Sequence, residues 1–207
     1  MQRLTRTLEI MRKAATAFGA LCLLLATPAS AEPESELQLP PQGTYVHLLG
    51  AVSIGRGLRF NNPYRLATPL GNDAESLSLS ATYLDLAATA AFGDPNGLQH
   101  GGSIHLSSAL SGIPQEVATP SYVALLRLPP RFITYGRAGV PIVLEPDATF
   151  GLEAALGGAV LITGGLGVTA ELVGSVFYGA ATQEVDVTTI PMLSLQIGAL
   201  IDYEVLP

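Results

Sequence analysis

Residues 193–205 read Leu193-Ser194-Leu195-Gln196-Ile197-Gly198-Ala199-Leu200-Ile201-Asp202-Tyr203-Glu204-Val205. Every odd position is apolar, and the even positions are mostly polar or small. A two-residue period puts alternate side chains on opposite faces, so this is a β-strand with one greasy and one polar face.

The same alternation recurs upstream. In 165–178, Leu166, Val168, Ala170, Leu172, Val176 and Tyr178 oppose Gly167, Thr169, Glu171 and Ser175. Further strands are expected at 150–157, 132–140, 121–128, 102–110, 75–92 and 45–54, a total of eight. The 75–92 segment changes parity between Leu79 and Leu84, which a bulge near Tyr83 reconciles. Pro129-Pro130 and Gly164-Gly165 read as tight turns, whereas 58–74, 111–120, 141–147 and 180–190 read as longer connections. Short turns at one end and long loops at the other predict an all-β fold: an up-and-down antiparallel transmembrane β-barrel. A spanning helix is a poor alternative, because the longest nearly uncharged stretch, 154–170, holds five glycines between Glu153 and Glu171.

The chain has 207 residues, 48% apolar and 13% charged, with a formal charge of -7. Residues 1–31 have the layout of a cleaved secretory signal: Arg3, Arg6, Arg12 and Lys13, an apolar run 14–27, then Ala29-Ser30-Ala31. About 14 apolar residues make about 21 Å of helix, too short for a hydrocarbon core of about 30 Å. Removing the segment removes Cys22, the single cysteine, and Lys13, the single lysine. Six arginines against sixteen carboxylates remain, a net charge of -10. That balance argues against nucleic acid, and the mature chain has no disulfide or thiolate chemistry. Residues 32–42 read as a flexible periplasmic lead-in and 43–207 as the barrel domain.

Alternation alone does not say which face meets water. A soluble periplasmic barrel of the lipocalin kind, binding an apolar ligand, has an apolar inside. Here the apolar face is almost free of charge, while the other carries Arg137, Glu153, Glu171, Gln196 and Asp202 among small residues. That favours lipid outside and a filled polar lumen, with Arg137, Glu153 and Glu171 on three consecutive strands as an ion-pair network. Tyr83, Tyr122, Phe132, Phe150, Tyr178 and Tyr203 fall near strand ends, where aromatic girdles sit. The segment after the first strand exposes Arg59, Phe60, Asn61, Asn62, Tyr64 and Arg65.

Gln196, Gly198, Ile201 and Tyr203 resemble the terminal assembly signal of outer-membrane barrels of Gram-negative bacteria, although the chain runs on through Glu204-Val205-Leu206-Pro207. In size and layout the mature chain is similar to small eight-stranded barrels of the OmpA/OmpX type. The resemblance implies an outer-membrane location, contact with outer-membrane lipid and, during biogenesis, with the barrel-assembly machinery; the surface partner stays open. His105 and Ser107, at i and i+2, share a strand face, with Glu116 in a loop as an orienting carboxylate. The spacing resembles the His-x-Ser of outer-membrane lipid A deacylases, so a lipid hydrolase is the enzymatic alternative. Ile104 and Leu106 take the lipid face, however, which turns His105 and Ser107 inward. No cofactor-binding or metal-binding spacing stands out, and none is expected.

Overall fold

The computed structural model describes residues 45–60, 77–112, 114–128, 131–145, 148–178 and 189–205. The expected signal and lead-in, together with Asn61, Asn62, Tyr64 and Arg65, lie outside them. Chain contacts separate Met1–Pro41 from Gln42–Pro207, and all described residues belong to the second unit.

Ten strands form one antiparallel sheet: β1 (Tyr45–Phe60), β2 (Leu77–Leu79), β3 (Tyr83–Gly93), β4 (Leu98–Ala109), β5 (Glu116–Leu128), β6 (Phe132–Gly139), β7 (Ile142–Glu145), β8 (Thr149–Thr163), β9 (Leu166–Tyr178) and β10 (Thr189–Val205). They make eight staves, because β2 extends β3 and β7 extends β6. The second extension is in register: β6 pairs Gly139 with Glu153 of β8, β7 pairs Ile142 with Phe150, and the intervening residues match in number. β10 pairs along β1 from Val46↔Val205 to Arg59↔Met192, which closes the sheet into a barrel. Closure leaves no open edge, so every stave can pair on both sides.

The stagger follows from the register. From Gly57, partners lead through Ser194, Val173, Ala155, Arg137, Val123, Gly101 and Ala91 back to β1 at His47, ten residues from the start. With about 3.3 Å per residue and about 4.8 Å between strands, a ten-residue offset over eight staves tilts them by about 40°.

Two expected loops are shorter than the sequence suggests. Pro120 sits within β5, and Pro141 lies between β6 and β7, where its carbonyl accepts from Gly151 N at 2.9 Å. Proline removes a donor but not an acceptor, so at both places the ladder continues through it. The first strand likewise runs on to Phe60 and carries Arg59 and Phe60 in its last turn of pleat, not in a loop. Between β2 and β3, Ser80, Ala81 and Thr82 oppose only Arg56 and Gly57 of β1. This one-residue excess is a β-bulge, and it switches parity: Leu79 before it and Leu84 after it both face outward, while Ser80 and Asp85 are both buried.

The outward face is apolar on every stave. Leu48, Ile54, Leu106, Leu152, Leu172, Leu195 and Ile197 are all exposed, and Leu156 reaches 73%. Phe60, Phe150 and Tyr178 ring the end where the longer connections lie, and Phe92, Phe132 and Tyr203 ring the other. Tyr203 pairs with Leu48, and Phe60 stands twelve residues further along β1, which at 40° tilt separates the rings by about 30 Å. Two expected girdle residues belong elsewhere. Tyr83 points into the barrel, where its hydroxyl donates to Gln115 at 2.5 Å, and Tyr122 lies within the apolar band with its hydroxyl 2.5 Å from His100 Nδ1.

Candidate functional site

The inward side chains form layers. Tyr45 and His47, both fully buried, occupy the tight-turn end. Arg127, at the end of β5, donates from Nη2 to His47 Nδ1 at 2.8 Å and also bonds Asp202 of β10. His47 Nδ1 lies 3.6 Å from Asp202, and its Nε2 lies 3.9 Å from Glu204. This group joins residues 75 and 80 positions apart, and of its members only Asp202 stands out in the sequence.

Above it lies an apolar layer of Leu49, Val123, Leu125, Ile133, Ala159 and Leu200, with Tyr135 and Leu161 packed against it. The lumen is therefore not polar throughout, as the composition of the second face suggests. Side chains with no hydrogen-bonding atoms span the barrel here, because the small residues of β8 and β9 leave room for large ones from β5 and β6. Tyr135 OH meets Thr169 Oγ1 at 3.1 Å over this layer, and Thr169 also donates to the Gly158 carbonyl at 3.2 Å.

The next layer brings Arg137, Glu153 and Glu171 together. Arg137 Nε and Nη2 both donate to Glu171 Oε1, at 2.8 and 2.6 Å, while Nη1 bonds Glu153 and reaches Ser121 Oγ at 3.5 Å. Both Arg137 and Glu171 are 5% exposed. A guanidinium has five donors in a fixed fork; dividing them between two carboxylates satisfies the cation at three separate nitrogens and ties β6 to β8 and β9.

His105 and Ser107 lie on the inward face of β4, and both bond a residue that the sequence does not advertise. His105 Nδ1 donates to Asp85 Oδ1 at 2.9 Å, and Ser107 Oγ donates to Asp85 Oδ2 at 2.6 Å. Asp85 is buried, and it belongs to β3 just past the bulge that reset its parity. Glu116 is not in a loop but is the first residue of β5, opposite Ser108 and Glu145. Nucleophilic catalysis needs the imidazole to accept the serine proton while the carboxylate orients the imidazole. Here the carboxylate takes both hydrogen bonds, so the arrangement does not activate the hydroxyl.

These layers enclose a cavity of about 40 Å³ lined by Ser53, Asp85, Ser103, His105, Arg137, Glu171 and Gln196, with Leu49, Leu125 and Leu200 beneath. That is room for about three waters, and the buried Ser103 Oγ has no protein partner there. Among the described residues no group of three or more His, Cys, Asp or Glu could hold a metal ion; Asp85 and His105 offer two donors.

Gln196, Gly198, Ile201 and Tyr203 all lie in β10 at the closing seam. Gln196 faces inward and accepts from Ser53 of β1 at 3.2 Å. Gly198 is opposite Ser53, and a Cβ on it would stand 2.2 Å from Val52 O and 2.6 Å from Ser53 Cα. Arg59 and Phe60 are neighbours on opposite faces, with Phe60 outward.

No family model and no curated protein matches the chain. Among solved structures it is similar to Ail, the attachment invasion locus protein of Yersinia pestis (12% identity, TM-score 0.47, covering 75% of this chain and 98% of that one). It is likewise similar to Neisserial surface protein A (11%, 0.44, 77% and 99%) and to a de novo designed transmembrane β-barrel (11%, 0.42, 80% and 98%). The fold itself rests on the register and closure given above.

Proposed function

We infer that this chain is an outer-membrane barrel with a closed interior, serving a membrane-structural or surface-interaction role through the segments at its long-loop end. The carrying observation is the outward face: large apolar side chains on all eight staves, bounded by two aromatic rings about 30 Å apart, the dimension of a bilayer core. A water-soluble barrel would leave Leu156, Leu152 and Ile162 hydrated, each at least 58% exposed, with nothing gained. The lipocalin-like alternative is also poorly served by the cavity between the interior layers, which at about 40 Å³ has room for about three waters and not for an apolar ligand.

The interior supports a plug reading. Two ion-paired layers and one apolar layer stand across the lumen, so the surface segments are left as the place for recognition. In the sequence, residues 61–65, with two asparagines, a tyrosine and an arginine, offer hydrogen-bonding and aromatic chemistry for that role. Outer-membrane lipid and, during biogenesis, the barrel-assembly machinery are the partners this reading implies. Lipid hydrolysis by His105 and Ser107 is disfavoured, because both face the lumen and share Asp85.

Fractionation followed by a carbonate wash tests the reading. Retention in the outer-membrane pellet, together with no steady conductance in a planar bilayer, supports it; release into the periplasmic fraction rules it out.

A further inference from the structure

Among the described residues, Arg56 is the one lysine or arginine on the outward face of a strand. β1 presents its even positions outward, and Arg56 is exposed between Ile54 and Leu58. Its cross-strand partner is Leu195, itself exposed, and Leu193 and Leu79 are exposed nearby. A lone cation in such a patch is costly near the middle of a bilayer and cheap near an interface.

Two features set its position. Phe60, in the aromatic ring at the long-loop end, is four residues further along β1, about 10 Å along the membrane normal at 40° tilt. A long side chain can lift its charged end from there toward the headgroups. The bulge also holds the guanidinium: Arg56 Nε donates to Ser80 O at 3.1 Å, while Gly57 and Ser80 bond each other twice, through Gly57 O and through Ser80 Oγ. The carbonyl set free by the extra residue thus anchors one edge of the guanidinium. The two Nη groups have no partner among the described residues.

We propose that Arg56 and the Ser80–Thr82 bulge form a lipid-headgroup site that takes one phosphate of an anionic lipid in the leaflet at the long-loop end. The ligand class follows from the donor geometry. A planar fork with two unoccupied nitrogens matches two oxygens of one phosphate, and the flanking Leu58, Leu79 and Leu195 match acyl chains and not a soluble anion. The proposal rests on the membrane reading above.

Full-length folded protein in zwitterionic detergent micelles is titrated with phosphatidylglycerol, with phosphatidylcholine and with inorganic phosphate, and retained lipid is counted by native mass spectrometry. One juxtamembrane arginine is worth about 1 kcal/mol on an anionic surface, so phosphatidylglycerol should be retained about five-fold more than phosphatidylcholine. Arg56→Gln should abolish that preference, Arg56→Lys should keep part of it, and Arg131→Gln, at the opposite end, should leave it intact. Heat-dependent gel mobility checks that each variant is folded. An unchanged preference in folded Arg56→Gln overturns the site, as does displacement of the lipid by equimolar inorganic phosphate. Failure of the wild-type chain to insert into phosphatidylcholine vesicles overturns the membrane reading, and this site with it. Insertion without lipid preference overturns the site alone.

Discussion

Arg137 of β6 places two nitrogens on a single oxygen of Glu171, two strands away on β9, across the interior of the barrel. Removing one partner of a buried pair leaves an uncompensated charge, at about 3 to 5 kcal/mol. Glu171→Ala should therefore lower the temperature at which the folded gel mobility is lost, and by more than Glu153→Ala does, since Glu153 holds a single nitrogen. Equal, negligible shifts in both variants would mean that the two carboxylates are solvated.

Gly198 invites a different test, because its place in the terminal pattern and its place in the structure give separate reasons for a glycine. The closing strand leaves no space for a Cβ against the backbone of Val52 and Ser53. Gly198→Ala should lose about 1 to 3 kcal/mol or fail to close, as overpacked sites do. Gly174, whose Cβ would meet nothing nearer than Ala154 O at 3.8 Å, should accept alanine without loss. Refolding purified protein into vesicles makes the comparison with no assembly machinery present. Normal refolding of Gly198→Ala would assign the glycine to recognition and not to packing.

Thr169 and Val168 are adjacent on β9 and face opposite ways, one buried beside Tyr135 and the other 49% exposed. Thr169→Leu loses two hydrogen bonds and crowds the lumen, so about 1 to 3 kcal/mol of destabilisation is expected. Val168→Leu should be neutral. Urea unfolding in lipid vesicles reads both, and the reverse ranking would put the solvent on the other face.

Trypsin added to intact cells should cut after Arg65 and spare Arg131, which sits at the tight-turn end. Cleavage at Arg131 without permeabilisation would invert the orientation.

The period of two at 193–205 was legible because one face meets a single uniform environment, so no position interrupts the alternation. Proline at 120 and 141 hides the strand: its missing donor suggests a break, yet the barrel uses its carbonyl and carries on. The bulge at Ser80–Thr82 was legible as a parity conflict between Leu79 and Leu84, but its consequence, Asp85 turned toward His105 and Ser107, depends on which stave lies beside which. The same holds for His47, Arg127 and Asp202, which meet only because closure brings the first and last staves together. Arg56 is not legible for another reason: in sequence it is one polar residue between glycines, and its outward exposure exists only in the closed barrel.

On the membrane reading, the even-numbered side chains of β9 face lipid and the odd-numbered ones face a filled interior. Spin labels on single cysteines placed at each position from 167 to 177, in protein reconstituted into vesicles, measure it directly through collision with oxygen and with a water-soluble nickel chelate. Oxygen accessibility should peak at 168, 170, 172 and 174, with low accessibility to both reagents at 169, 171 and 173. Nickel accessibility peaking at 168, 170 and 172 would put water, and not lipid, on that face.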